Sequence, residues 1–325
     1  MKPMDAFEAA TSRLTADTGI ALPDVATDTM AKISGTLDRV GMSGISVMMH
    51  YPAEPMPVLI PAMADAYVNI TNPEVKGIHM SRLFLALQEI LPEKPFSMAL
   101  CEEVLGAFIE SHRDLSDSGF LNLRFEHPRT SESLLSGLTA WRSYPVQVRV
   151  SRRKDQVVHR TTLRVTYSSA CPCSAALSRQ VIQQQFMQRY GGQPAVTAVE
   201  VLDWLGDEDT VIPVPHSQRS HADITVEYTA QAEGYHLDEL IQQVEAALTT
   251  PVQAAVKRAD EQEFARLNGL NLMFCEDAAR KIKQSLDAHT DLHDFLIKVS
   301  HLESLHAHDA VAMVAKGIPG GFTAA

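Results

Sequence analysis

VVHRTTLRVTYSSA, residues 157–170, is the stretch from which the fold can be read. Leu163, Val165 and Tyr167 alternate with Arg164, Thr166 and Ser168, the period of a β-strand with one buried face. The strand runs directly into CPCS (171–174). Downstream, HADITVEYTA (221–230) reads as a second strand, and LDELIQQVEAAL (237–248) and CEDAARKIKQSL (275–286) read as amphipathic helices. A short helix is expected between them, after Pro251. HDFLIKVSHLES (293–304) and HDAVAMVA (308–315) return to strand character. Upstream, the same order is met. SGISVMMHY (43–51) and VLIPAMADAYVNI (58–70) are strands rich in β-branched and apolar residues, separated by a Pro-rich turn. SRLFLALQEIL (81–91), capped by Ser81 and stopped by Pro92, and FSMALCEEVLGAFIESH (96–112) are helices. NLRFEH (122–127) and YPVQVRVSRR (144–153) are strands again. Each half thus reads strand, strand, helix, helix, strand, strand, without a residue-level repeat. The fold class expected is α+β, with antiparallel sheets and helices packed on one face.

RKDQ (153–156) marks the boundary between the halves. The expected organisation is an extension over 1–38, mobile or a peripheral helix, a first module over 39–154 and a second over 155–325. Residues 178–213 interrupt the second module with a helix-like SRQVIQQQFMQRY, a GG turn and an acidic GDEDT, and are expected to lie over the sheet as an insertion.

Apolar residues make up 45% of the 325, enough for a large core. A net charge of −12 disfavours a broad nucleic-acid or membrane footprint. No run of eighteen uncharged apolar residues suggests a membrane span, and MKPMDAFEAATSRL lacks the apolar core of a signal peptide. Four cysteines in a chain of this length do not make a disulfide framework, and a reducing cytoplasm is the simplest setting.

Chemistry concentrates in a few segments. Cys171 and Cys173 flank Pro172 at a strand end, where one thiol could bind a metal while the other faces a substrate. HSQRSHAD (216–223) offers His216 as an imidazole ligand, with Gln218 and Arg219 beside it, while His221 is expected to be structural. KRADEQEFARLNG (257–269) supplies Asp260, Glu261 and Glu263. Any of these carboxylates could complete a mixed site with a position left for water, and spacing does not choose among them. Glu276 in FCEDAAR (274–280) falls at a helix start, a favourable place for an anion. His306 and His308 in HLESLHAHDA (301–310) would share one face of a strand and could move protons, or could sit idle on a wet face. Lys76, His79 and Arg82 in KGIHMSR (76–82) could present cations to phosphate groups.

Taken in order, KGIHMSR, SSACPCS, HSQRSHAD, VKRADEQEFARLNG, MFCEDAAR and SLHAHDA resemble the signature segments of the prokaryotic type IB GTP cyclohydrolase I family, across most of residues 40–318. The resemblance implies the tunnelling fold (T-fold) with two modules per chain, a homotetramer, and conversion of GTP and water to 7,8-dihydroneopterin triphosphate and formate. It implies a divalent metal (Zn, Mn or Fe) on Cys171, His216 and Glu261, and Cys173 as the substrate-facing thiol. It further implies Glu276 as the purine anchor, and His306 and His308 as active-site histidines, the former with the better claim to catalysis. Lys76, His79, Arg82 and Arg219 would contact the substrate. Two departures stand out: residues 178–213 separate CPCS from the His motif, and Ala175 stands where many relatives carry lysine. The rival readings are a nitrile reductase of the same fold, which binds NADPH and needs no metal, and a non-catalytic zinc protein with a closed ligand shell.

Overall fold

The computed structural model describes residues 29–52 and 57–324. The first half comprises β1 (Leu37–Tyr51), β2 (Val58–Ile70), α1 (Met80–Ile90), α2 (Met98–Ser111), β3 (Ser118–Glu132) and β4 (Thr139–Arg153). The second comprises β5 (Gln156–Ala170), α3 (Pro172–Tyr190), α4 (Ala198–Gly206) and β6 (Ser217–Tyr228). It continues with α5 (Leu237–Leu248), α6 (Arg258–Leu270), α7 (Cys275–Leu286), β7 (Leu292–His301) and β8 (Ala310–Ala315). All eight strands form one antiparallel sheet in chain order.

Alternation decides which face is covered. Leu121, Leu123 and Phe125 of β3, Val146, Val148 and Val150 of β4, and Leu163, Val165 and Tyr167 of β5 point into a common core. Leu83 and Leu87 of α1, Val104 and Phe108 of α2, Ile241 and Val244 of α5, and Ile282 of α7 close over them. Removing these side chains from water is the main favourable term for the fold. The helices therefore lie on one face of an antiparallel sheet, as the periodicity predicts. At the anticipated boundary the chain makes a tight turn through Lys154, whose φ is +53°, and the Arg153–Gln156 pair closes a β4–β5 hairpin. The ladder runs through that point unbroken.

Several local expectations change. Ser81 is not the cap of α1. The helix starts at Met80, so Ser81 lies inside its first turn, and His79 at the N-cap makes no side-chain capping bond. The short helix expected after Pro251 is α6, a full 13 residues. The insertion helix starts at Pro172, immediately after Cys171, and Tyr190 closes it. Its partner α4 packs on it through Phe186 and Trp204, with ring centroids 5.4 Å apart, and through the Tyr190 hydroxyl, which donates to the Glu200 carbonyl. The two helices pack on each other through these contacts. Of the expected extension, residues 1–28 lie outside the described residues. Met30 bridges Val75 and the Ala31 amide donates to the Glu74 carbonyl, so the remainder is extended chain tied to the β2–α1 connection. The Pro-rich turn between β1 and β2 includes 53–56, also outside the described residues.

The register gives the sheet two unlike ends. Ala170 lies opposite Ser217, and His301 opposite both Ser220 and Ala310, so the end of β5, the start of β6 and the β7–β8 turn share one end. Ile70 pairs with Leu37, Ser118 with Arg153, and Tyr228 with Leu292, at the other. Strands of this length place the ends roughly 45 Å apart at about 3.3 Å per residue.

Candidate active site

Cys171 directly follows β5 and serves as N-cap of α3, its sulfur accepting from the Ser174 amide at 3.5 Å. Pro172 follows at the first helical position, where a missing N–H costs nothing. Cys173 therefore lies in the helix's first turn, exposed. The insertion does not part the two motifs. The Cys171 amide donates to the His216 carbonyl at 3.2 Å, and the His216 amide donates to Ser174 Oγ at 3.0 Å. Pairing of β5 with β6 restores in space what 44 intervening residues separate in sequence.

His216 Nδ1 lies 3.0 Å from Gln218 Oε1 and 3.8 Å from Glu303 Oε2. Gln218 is itself buried and donates to Ser169 Oγ, which meets Ser220 Oγ at 2.8 Å. An amide oxygen on Nδ1 fixes the tautomer with the proton there and leaves Nε2 as the free ligand atom. The Leu302 amide donates to the Arg219 carbonyl, which brings Glu303 alongside this segment.

The three candidate acids of α6 have different fates. Asp260 is fully buried, and its carboxylate accepts from the Leu135, Ser136 and Lys257 amides and from the Ser136 hydroxyl. These bonds hold its pKa far below the usual carboxylate range and anchor the β3–β4 hairpin to α6. Glu263 is taken by Arg266 at 2.7 Å. Glu261 alone lines a cleft of about 440 Å³ with Gln218, Arg219 and Tyr167.

A second group gathers at the start of α7. Met273 N–H donates to the Ala170 carbonyl, setting the start of α7 against the residue before Cys171. Glu276 lies exposed in the first turn of α7. The helix-end N–H first, and then the Cys275 thiol at 3.3 Å, hold its carboxyl below the usual range, so it is an anion at neutral pH. Burial pushes the Cys275 thiol up to about 11 and keeps it a neutral donor. Tyr167 and His301 meet at 2.9 Å, and burial lowers His301 to about 4, against the pull of the Glu276 charge. Cys275, His301 and Glu303 are site neighbours that the sequence does not single out. Their signals were adjacency to Glu276 and membership of HLES, both too weak to read alone.

His306 and His308 are at this same end, but in the β7–β8 turn and not on a strand. Their exposed rings stack there with centroids 5.1 Å apart. Lys76, His79 and Arg82 are at the opposite end: Arg82 Nη1 donates to the Ser111 carbonyl, and the His79 carbonyl faces His112. One chain therefore does not bring them to Cys171. Among the described residues, no three His, Cys, Asp or Glu side chains converge on one metal position. The donor types still suit a borderline divalent cation: a thiol, an imidazole with its Nε2 free, and Glu261 or Glu303 nearby.

The fold defines a tunnelling-fold protein, with the Cys171 and His216 backbones paired at one end of its sheet. The family described as type I GTP cyclohydrolase folE2 matches residues 22–312. A GTP cyclohydrolase FolE2 of Pseudoalteromonas translucida is 45% identical, covering 93% of this chain and 100% of its own length. That of Hydrogenovibrio crunogenus is 44% identical, covering 93% and 96%. A solved uricase from Arthrobacter globiformis aligns at a TM-score of 0.46 and 8% identity, over 90% of this chain and 98% of that one. The chain belongs to the FolE2 family of GTP cyclohydrolases and is an enzyme of that class. Membership sets aside the nitrile reductase and the non-catalytic zinc protein, and it carries with it a metal-dependent active site.

Proposed function

We propose that this chain converts GTP and water to 7,8-dihydroneopterin triphosphate and formate, feeding folate or deazapurine synthesis. The observation that carries the reading is Glu276, an ionised carboxylate at the start of α7, the helix whose approach is tied by Met273 to Ala170, the residue before Cys171. Guanine presents N1–H and its 2-amino group as parallel donors, which one carboxylate accepts together and adenine does not offer. Cys171, His216 and Glu261 would hold zinc, manganese or iron, with Gln218 orienting the imidazole. When bound, such a metal supplies Lewis acidity and a water of lowered pKa.

The chain's own groups then have distinct work. Cys173, exposed at the start of α3, would face the purine and carry a proton to a ring nitrogen. His306, stacked on His308, would serve the later proton transfers. Arg219 flanks the cleft and would meet substrate charge. Lys76, His79 and Arg82 would reach the triphosphate from a second copy of the chain, since their own copy holds them at the far end of the sheet. That supports a homo-oligomer, a homotetramer of two-module chains. No described helix is long and apolar enough to cross a membrane, and we place the enzyme in the cytoplasm without nucleic-acid partners.

Purified protein supplied with zinc, manganese or iron should release formate and a pterin, fluorescent after oxidation and dephosphorylation, in equal amounts. A metal-loaded protein giving neither product sinks the proposal.

A further inference from the structure

The uncovered face of the sheet carries, at the end away from Cys171, a cleft of about 720 Å³ lined by Arg39, Arg149, Arg153 and Arg160. The whole chain is acidic, at −12, so a local gathering of four guanidinium groups is against the average. Arg149 and Arg160 are directly opposite each other on β4 and β5. Like charges in that relation destabilise a sheet. Two acids on this face are already used: Arg124 holds Asp65 with two bonds, at 2.5 and 2.8 Å, and Arg160 holds Glu227 at 2.7 Å. Among the described residues Arg39, Arg149 and Arg153 pair with no carboxylate, and Arg149 has only the Thr162 hydroxyl at 2.9 Å. Burial, then the charges of Arg160 and Arg39, lower the pKa of Arg149, the mark of repulsion without a counter-ion.

Phe120 explains how the cations are held. It points away from the helix-side core yet is only 5% exposed, because Arg39 and Arg153 lie 4.3 and 5.6 Å from its ring centroid. The ring orders two guanidinium groups by cation–π contact and so has no free face on which a base could stack. We propose that this cleft is a second binding site, for a linear polyphosphate group read by its charge and oxygen atoms alone. Guanidinium forks match phosphate oxygens two at a time, and a triphosphate brings enough charge to offset Arg39, Arg149 and Arg153 together.

The test is calorimetric titration of the full-length protein with inorganic tripolyphosphate, beside ATP as a second source of the same group. Wild type should bind both with affinities within threefold, more weakly as salt is added. Arg149→Gln and Arg39→Gln should each lose at least tenfold. Without ligand, Arg149→Gln should melt higher than wild type, because a repelling charge is gone, and tripolyphosphate should raise the wild-type melting temperature by more than the variant's. If Arg149→Gln does not melt cooperatively, Arg153→Gln takes its place. Equal affinity in wild type and both variants overturns the site, as does absence of binding to wild type. ATP binding more than tenfold tighter than tripolyphosphate overturns recognition by phosphate alone. A variant that changes oligomeric state while keeping wild-type affinity would make the cleft a contact between copies and likewise overturn it.

Discussion

The two halves of this chain build the same corner and load only one of them. At the end of β1, His50 bridges Pro95 in parallel and its carbonyl accepts from Phe96 N–H, setting the start of α2 against the strand. At the end of β5, Ala170 bridges Leu272 in parallel and its carbonyl accepts from Met273 N–H, setting the start of α7 in the same way. Three residues beyond those amides stand Ala99 in the first half and Glu276 in the second. The first corner joins β1 to β2 by a short link, whereas the second carries Cys171, Cys173, α3, α4 and His216 between β5 and β6. The β3–β4 hairpin is spent docking on Asp260, while the β7–β8 turn presents Glu303, His306 and His308. The scaffold is shared because antiparallel pairing and a helix covering it need only periodicity. The chemistry is not, because it needs particular side chains at the strand ends.

The sharpest way to break the asymmetry is at the two matched positions. Glu276→Ala should lower kcat/KM by about 1,000-fold, roughly 4 kcal/mol for two charge-assisted bonds, while metal content and melting stay as they were. Ala99→Ser should change neither rate nor metal, and a comparable loss there would sink the comparison. Metal retention comes next. Cys171→Ala should weaken zinc binding by more than about 100-fold, and Gln218→Ala by about tenfold, the scale of an outer partner that orients an imidazole. Zinc content after dialysis reads both, and full retention in Cys171→Ala would count against that ligand.

A pH effect follows from His301. Its pKa is about 4 when folded, against an ordinary 6.5, so the unfolded chain binds the extra proton first. The sign is therefore a contribution that is fully present above about 6.5 and is lost as pH falls through the window towards 4. The full shift corresponds to at most roughly 3 kcal/mol. Denaturant melts of His301→Gln should show a flatter pH dependence in that window than wild type, and an unchanged slope would rule His301 out as a source. The smallest effect belongs to the unloaded half. Ser97 caps α2 by accepting from the Leu100 amide, and Ser97→Ala should cost about 1 kcal/mol of stability with turnover unchanged.

Some elements were legible to the residue. Val58–Ile70, Leu237–Leu248 and Cys275–Leu286 have the bounds that alternation, helical spacing and flanking residues predict. Others were longer than their local signal. β1 reaches back to Leu37 across a register shift near Gly44, whose φ is +72° and whose amide donates to Asp65 on the next strand. No feature within β1 announces that bond. Pro172 reads as part of a strand end, although proline after a potential N-cap is equally a helix start, and here it opens α3. His306 and His308 were placed on a strand because apolar neighbours follow them, and a turn intervenes instead.

The sequence by itself determined an antiparallel sheet covered on one face, the doubled element order and the segments in which reactive side chains occur. Those follow from periodicities of two and 3.6 residues and from side-chain chemistry, both local properties. Only the tertiary structure decided which of them meet. Strand register put the Cys171 amide on the His216 carbonyl across the insertion. Hydrogen bonds and an ion pair removed Asp260 and Glu263 and left Glu261 at the cleft. The same register sent Lys76, His79 and Arg82 to the far end and set Arg149 against Arg160 on the open face. Pairing between distant strands is a non-local choice, made by the burial of the whole sheet, and no single segment carries it.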